Sequence, residues 1–409
     1  MTSAGRFSGY GEGVITMRHG IFLPPFLTLQ QSVSLGLQRN FEVLRVMDDL
    51  GFDEAWIGEH HSGGWEPISS PEIFIAGAVE QTRRLQFGTG VISLPYHNPF
   101  NAANRIVQLD HQTRGRVMFG FGPGIASSDA HMLGIEPEVT RSRMAQSLDV
   151  IVRLLRGEVV TEKTDWYDLR DARLHLLPFT KPNPELAVAS VVTPSGSQLA
   201  GKYGTGMLCM GAGDEDGFKV LDRNWEFAEK SAAEHGQTMD RSKVRIVLGM
   251  HLAETVEKAR ENIRFAIRPF IDYINNNFPR YQIPEGQDTV DWVMERKIAG
   301  MIVGTPEYAI ERIEQVQEKL GAFGTVLING FNWADHRETL RSLELYADYV
   351  IPHFERESVA RQSSYDWITE RQTGFAEQRV RARDQAFLAA GHSVPESHGN
   401  SDRAGSLAI

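Results

Sequence analysis

A single cysteine, Cys209, stands among 409 residues. An internal disulfide is therefore excluded, and a reducing compartment such as the cytoplasm suits the chain. Cys209 lies in an apolar run between Leu208 and Met210, which points to a buried core thiol rather than a nucleophile. Long hydrophobic runs are missing as well, and none approaches the ~18–20 residues that a membrane span needs. The opening stretch, MTSAGRFSGYGEG, lacks the apolar centre of a signal peptide. Positive charge is in deficit, with 42 Lys and Arg against 53 Asp and Glu and a net charge of −11. That balance argues against a nucleic-acid binder, whose footprint is basic, and against adsorption to anionic lipid. No GxGxxG dinucleotide fingerprint occurs. His60, His61, Glu66 and His97 do not make the ligand spacing of a metal centre.

What is present is a repeated alternation of strand and helix. A hydrophobic fraction of 41% supports a sizeable core. Short apolar runs at Met17–Leu23, Glu54–Ile57, Leu85–Ile92, Val117–Phe121, Leu186–Ala189, Gly206–Met210, Val244–Leu252 and Thr325–Ile328 read as eight strands buried on both faces. Amphipathic segments separate them. Gly51 follows the first, Leu35–Leu50, as a C-cap. Pro71 opens the second and Asn98 caps the third. Thr140–Leu155 carries an apolar stripe of Met144, Leu148, Ile151, Val152 and Leu155, and Thr305-Pro306 starts the helix that ends at Leu320. Eight alternations without an antiparallel signal predict a parallel α/β fold.

Residues 1–16 read as a loose arm, residues 157–184 as an irregular insertion and residues 276–298 as an excursion or lid beside the site. Pro352 is expected to end the last barrel helix. Residues 355–391 are charged, with interspersed Trp367, Phe375 and Phe387, and read either as an extra helix or as a frayed tail. The final residues read as disordered.

The central stretch carries GTGVISLPYHNP, then LDHQTRGR, then FGFGPG with a later LG, and GEHH stands upstream at Gly58–His61. Over about residues 17–354 this resembles the bacterial luciferase-like flavin monooxygenases, and its wording is nearest the limonene-type branch. The resemblance implies a (β/α)8 TIM barrel with insertions and a C-terminal helical extension. It implies reduced FMN supplied by a separate NAD(P)H:flavin reductase, O2 as co-substrate, a flavin hydroperoxide, a small and largely apolar substrate, and a homodimer. Two other readings share the fold: a deazaflavin-dependent oxidoreductase and a non-catalytic flavin-binding protein.

Candidate site residues sit where strands give way to loops, the catalytic face of such a barrel. His60 can exchange a proton near neutral pH, and the resemblance implies that it lies beside the flavin. Glu59 reads as an orienting carboxylate. Thr89, Gly90 and Val91 end the third strand, where glycine permits close backbone approach to a flat ligand. The resemblance implies a non-proline cis bond at Gly90–Val91. Gly122 and Pro123 stand where some luciferases carry a reactive cysteine and a phosphate-contacting arginine, so neither role is available from those two positions. Thr193, Ser195, Gly196 and Ser197 precede a helix, whose free N–H groups suit a phosphate, and the resemblance makes this the FMN phosphate loop, with Lys202 near. Arg105, Asp110 and Arg116 read as a structural ion-pair set, and Phe26, Trp65, Tyr96, Phe121 and Trp333 as the wall of an apolar pocket.

Overall fold

The computed structural model describes residues 16–24, 26–210, 215–277, 281–296, 301–356 and 358–394. The arm expected at residues 1–16 and the tail beyond residue 394 fall almost wholly outside them. The strands are β1 (Arg18–Leu23), β2 (Glu54–Ile57), β3 (Gln86–Ser93), β4 (Val117–Gly122), β5 (Val160–Lys163), β6 (Asp168–Ala172), β7 (Leu186–Ser190), β8 (Gly206–Cys209), β9 (Val244–Leu252), β10 (Met301–Gly304) and β11 (Thr325–Asn329). Pairing runs β1–β2–β3–β4–β7–β8–β9–β11 and back to β1, every pair parallel. This closes an eight-stranded (β/α)8 TIM barrel.

Two pieces lie outside the eight-strand count. β5 and β6 form an antiparallel hairpin inside the region expected to be irregular. β10 pairs in parallel with the second half of β9, through Gly249–Leu252, while the first half, Arg245–Gly249, pairs with β11. β9 therefore has a different neighbour at each end of its length.

The barrel interior holds Phe22, Trp56, Met118, Ala187, Leu208, Val247 and Leu327, one from each of seven strands. Trp56 is fully buried, and Gly88 leaves space for it: a Cβ there would meet the indole at 2.3 Å. The floor beneath carries charge. Arg245, wholly buried, donates to Glu54 at 3.0 Å, pairs with Glu185 and lies 5.0 Å from the Trp56 ring centroid. Arg18 reaches Glu54 at 2.9 Å. The layer between strands and helices holds most of the remaining core, including Val43, Leu44, Ile75, Ile106, Leu148 and Ile151.

Helix signals were followed closely. Asn98 accepts from the N–H groups of Phe100 and Asn101, and Gly51 is left-handed at φ 93° after Val33–Leu50. Thr305 occupies the N-cap position without capping a helix N–H by its side chain. The last barrel helix does not stop at Pro352. His336–Leu345 widens into a π turn at Tyr346–Val350 and continues as Ile351–Glu355. Pro352 has no N–H to give, and the wide turn just before it absorbs the missing bond. The Arg105, Asp110 and Arg116 trio is not an ion-pair set. Arg105 pairs with Glu72, Asp110 accepts from Thr180, and Arg116 donates to backbone carbonyls of Val79 and Leu85.

The chain divides into two compact units, Met1–Glu355 and Arg356–Ile409. The second contains the helices Ser358–Glu370 and Gln372–Ala389, whose side chains are largely exposed, with Trp367 and Phe375 rings 5.2 Å apart. Among the described residues no helix is long and apolar enough to cross a membrane.

Candidate functional site

The strands end at a cavity of about 1040 Å³ that opens at the barrel mouth. Its lining at the strand ends includes Gly58, Gly90, Gly122 and Ala189, together with Val91 and Phe22. The Gly90–Val91 peptide is cis, and the β3–β4 register shifts between Thr89 and Ile92. A Cβ on Gly90 would come within 2.8 Å of Phe22, and one on Gly122 within 2.5 Å of Val91. Positions 90 and 122 thus leave no room for a side chain.

His60 lines the same cavity from the loop after β2. Its Nε2 lies 3.3 Å from Glu66 and its Nδ1 lies 3.5 Å from Asp129. Burial opposes its charge, but Glu66, Asp129 and Glu59 prevail and raise its pKa. Ser62 Oγ donates to Asp129, and Tyr273 Oη donates to Glu66 at 2.9 Å. Glu59 is turned away from His60 toward its neighbours. It faces Nε2 of His61 at 2.8 Å and of His97 at 2.9 Å, and accepts from the Ser93 N–H. Burial works against that carboxylate, yet these hydrogen bonds outweigh it and hold its pKa at about 2. Glu59 orients, as its place in the sequence indicates, and His61 is its partner.

Thr193, Ser195 and Gly196 also line the cavity, as do the cations Arg141, Lys202 and Lys230 and the acid Glu234. Thr193 is the N-cap of the helix Pro194–Tyr203 but makes no capping hydrogen bond, so the first-turn N–H groups keep their dipole for a ligand. Gly196 packs against the Ala189 carbonyl, where a Cβ would lie at 2.2 Å.

Of the residues expected at the site, His60, Gly90, Val91, Gly122, Thr193, Ser195 and Gly196 line one cavity. Thr89 and Ser197 do not. The Thr89 hydroxyl exchanges two hydrogen bonds with the Gly120 backbone, at 3.0 and 2.9 Å, and ties β3 to β4. Ser197 is fully buried against Ser190 at 2.8 Å. The aromatic wall also differs. Among Phe26, Trp65, Tyr96, Phe121 and Trp333, only Trp333 lines the cavity, and Phe270, Phe331, Tyr273 and Tyr281 complete that wall. Phe26 stacks on Trp65 at 4.9 Å behind them, and Phe121 belongs to the layer under the helices. Cys209 is buried, and burial pushes its thiol to about 12, which removes it as a nucleophile.

Asp129 and Tyr273 were not singled out by sequence reasoning, and Glu66 was weighed only as a metal ligand. They converge on His60 from its own loop, from the short helix Ser127–Met132 and from the helix Ile267–Asn277. Only an acidic residue six positions after a mouth histidine hinted at this.

Residues 17–322 match the family model described as luciferase-like monooxygenase. Limonene 1,2-monooxygenase of Rhodococcus erythropolis is 41% identical over 368 residues, which cover 90% of this chain and 94% of that one. The 4-hydroxyprotoasukamycin monooxygenase of Streptomyces nodosus subsp. asukaensis is 43% identical over 360 residues, covering 86% and 96%. Among solved structures, the oxygenating constituent of 3,6-diketocamphane monooxygenase from Pseudomonas putida, a type II Baeyer-Villiger monooxygenase in complex with FMN, superposes with a TM-score of 0.68. It is 24% identical and covers 83% of this chain and 98% of that one.

Proposed function

This chain belongs to the luciferase-like monooxygenase family, and from that premise we propose that it uses reduced FMN and O2 to oxygenate a small, largely apolar organic molecule. When bound, the reduced flavin supplies the electrons that activate oxygen. The observation that carries the reading is the cavity itself. It joins a histidine flanked by two carboxylates to an uncapped helix start, and two glycines of its lining, Gly90 and Gly122, leave no room for a side chain. A flat ring with an anionic tail fits that combination. Gly90, Val91 and Gly122 would hold the ring. The N–H groups and hydroxyls at Thr193, Ser195 and Gly196 would hold the phosphate, with charge from Lys202 and Arg141 in place of an arginine after β4.

The rest of the mechanism rests on this chain's own groups. His60, flanked by carboxylates, is placed to donate a proton to an oxygen that gains negative charge beside it. Phe270, Phe331 and Trp333 exclude water and give the substrate an apolar surface. The helix Ile267–Asn277 and Tyr281 cover that side. No nicotinamide fingerprint is present in the sequence, which supports delivery of reduced flavin by a separate NAD(P)H:flavin reductase. We take the working form to be a cytoplasmic homodimer.

Anaerobic titration with reduced FMN, followed by an oxygen pulse in a stopped-flow spectrometer, tests the proposal. Tight binding and a long-lived absorbance band distinct from both reduced and oxidised flavin are expected. No binding, or immediate return to oxidised flavin, would overturn it, and binding of reduced deazaflavin instead would identify the hydride-transfer reading. Sedimentation tests the dimer separately.

A further inference from the structure

The two ring nitrogens of His60 meet two different carboxylates. Nδ1 faces Asp129 at 3.5 Å and Nε2 faces Glu66 at 3.3 Å. A carboxylate offers only acceptors, so a neutral imidazole, which has one N–H, would set a lone pair against one of the two oxygens. Only the doubly protonated ring suits both. Glu66 is not free to turn aside. It is buried, and Tyr273 Oη donates to its other oxygen, Oε1, at 2.9 Å. Tyr273 is itself fixed within an aromatic set, 5.3 Å from Phe26 and 5.5 Å from Trp65 by ring centroids.

We propose that Glu66 is a positioning residue of the oxygenation site, held by Tyr273 so that His60 stays an imidazolium with a proton directed along each ring nitrogen. The proposal rests on the FMN reading for its consequence in catalysis, but the protonation state belongs to the protein alone. All the groups that set it are identified. Glu59, Glu66 and the neighbouring imidazole of His61 come from the same loop, Asp129 from the helix after β4, and Tyr273 acts through Glu66. Glu59 is already engaged with His61 and His97, so Glu66 and Asp129 supply the charge nearest the ring. Because Tyr273 belongs to the helix Ile267–Asn277, which also contributes Ile274 and Asn277 to the cavity, the seating of that helix and the protonation of His60 are linked through one side chain.

The test follows the His60 ring nitrogens by NMR across pH in ¹⁵N-labelled, flavin-free protein, with the signals assigned from the His60→Gln variant. Glu66→Gln keeps the size of the side chain and an oxygen for Tyr273, so a merely structural role survives it. Loss of the charge is expected to lower the His60 midpoint by about one unit or more. Glu66→Asp keeps the charge at a longer distance and is expected to recover part of that shift. A Glu66→Gln curve that superimposes on the parent, or equal effects of Gln and Asp, would overturn the proposal. Reduced-FMN titration of the same samples separates the two claims. Parent protein that binds no reduced FMN overturns the flavin reading while the His60 midpoints still decide the role of Glu66.

Discussion

Both ends of this barrel bury charge, and they do so with different bases. At the floor, Arg245 and Arg18 face Glu54, with Glu185 beside them. At the mouth, His60 faces Glu66 and Asp129. Guanidinium keeps its proton at any pH a protein meets, whereas imidazole exchanges its proton near neutrality. The floor cluster is therefore a permanent tie between β1, β2 and β9. The mouth cluster is a site whose charge can change during a reaction. The same two ingredients, burial and carboxylate, give a rivet at one end and a proton source at the other, and the choice of base decides which.

Three experiments sharpen or break this contrast. The largest effect is expected at the floor. Arg245→Met leaves Glu54 without its fully buried partner and should cost about 3–5 kcal/mol of unfolding free energy, read by urea denaturation. An unchanged midpoint would show that packing around Trp56, not charge, holds that end. At the mouth, His60→Ala should leave the fold and reduced-FMN affinity near the parent values and lower coupled product formation by about 10²–10⁴-fold. Undiminished product yield would remove His60 from the chemistry.

The smallest effect is a matter of sign. His19 and His251 are buried, their rings meet Tyr346 and Asn262 rather than a carboxylate at hydrogen-bond distance, and burial lowers both from 6.5 to about 4. Between those values the unfolded chain takes up protons that the folded chain refuses, so stability falls as pH drops from 6.5 to about 4. His60 acts in the opposite sense. Its pKa is raised, so its contribution is complete below the ordinary histidine value and is lost as pH rises through the raised one. Unfolding free energy measured across pH should lose part of its acid slope in His19→Phe, with the share of His251 remaining, and its neutral-side slope in His60→Gln. The reverse assignment would break the comparison.

The barrel was legible because parallel strands buried on both faces are written as short, dense apolar runs, as in Val244–Leu252, and because caps such as Asn98 and Gly51 mark the helices between them. Three strands escaped, for two opposite reasons. Val160–Lys163 and Asp168–Ala172 are exposed hairpin strands with mostly polar sequence, so no apolar run announces them. Met301–Gly304 is apolar but only four residues long, and it follows a polar stretch that read as excursion. At the site, position along the chain identified the mouth but not the direction of each side chain. A strand apolar on both faces does not say which residues point inward, and Thr89 and Ser197 point away from the cavity. The partners of His60 were illegible for a simpler reason. Tyr273 and Glu66 stand 207 residues apart, and only closure of the barrel brings them together.

The split pairing of β9 gives the two ends of the barrel different strand counts. Its base has eight staves, and at the rim a ninth, β10, pairs with the second half of β9 on the edge away from β11, beyond the part of that edge that pairs with β8. The chain spliced in there runs from residue 253 to residue 300 and carries Phe270, Tyr273 and Tyr281 into the cavity. Widening or shortening that splice changes the rim without touching a single pairing of the base. The choice of what the cavity admits is thereby set apart from the part of the molecule that must not change.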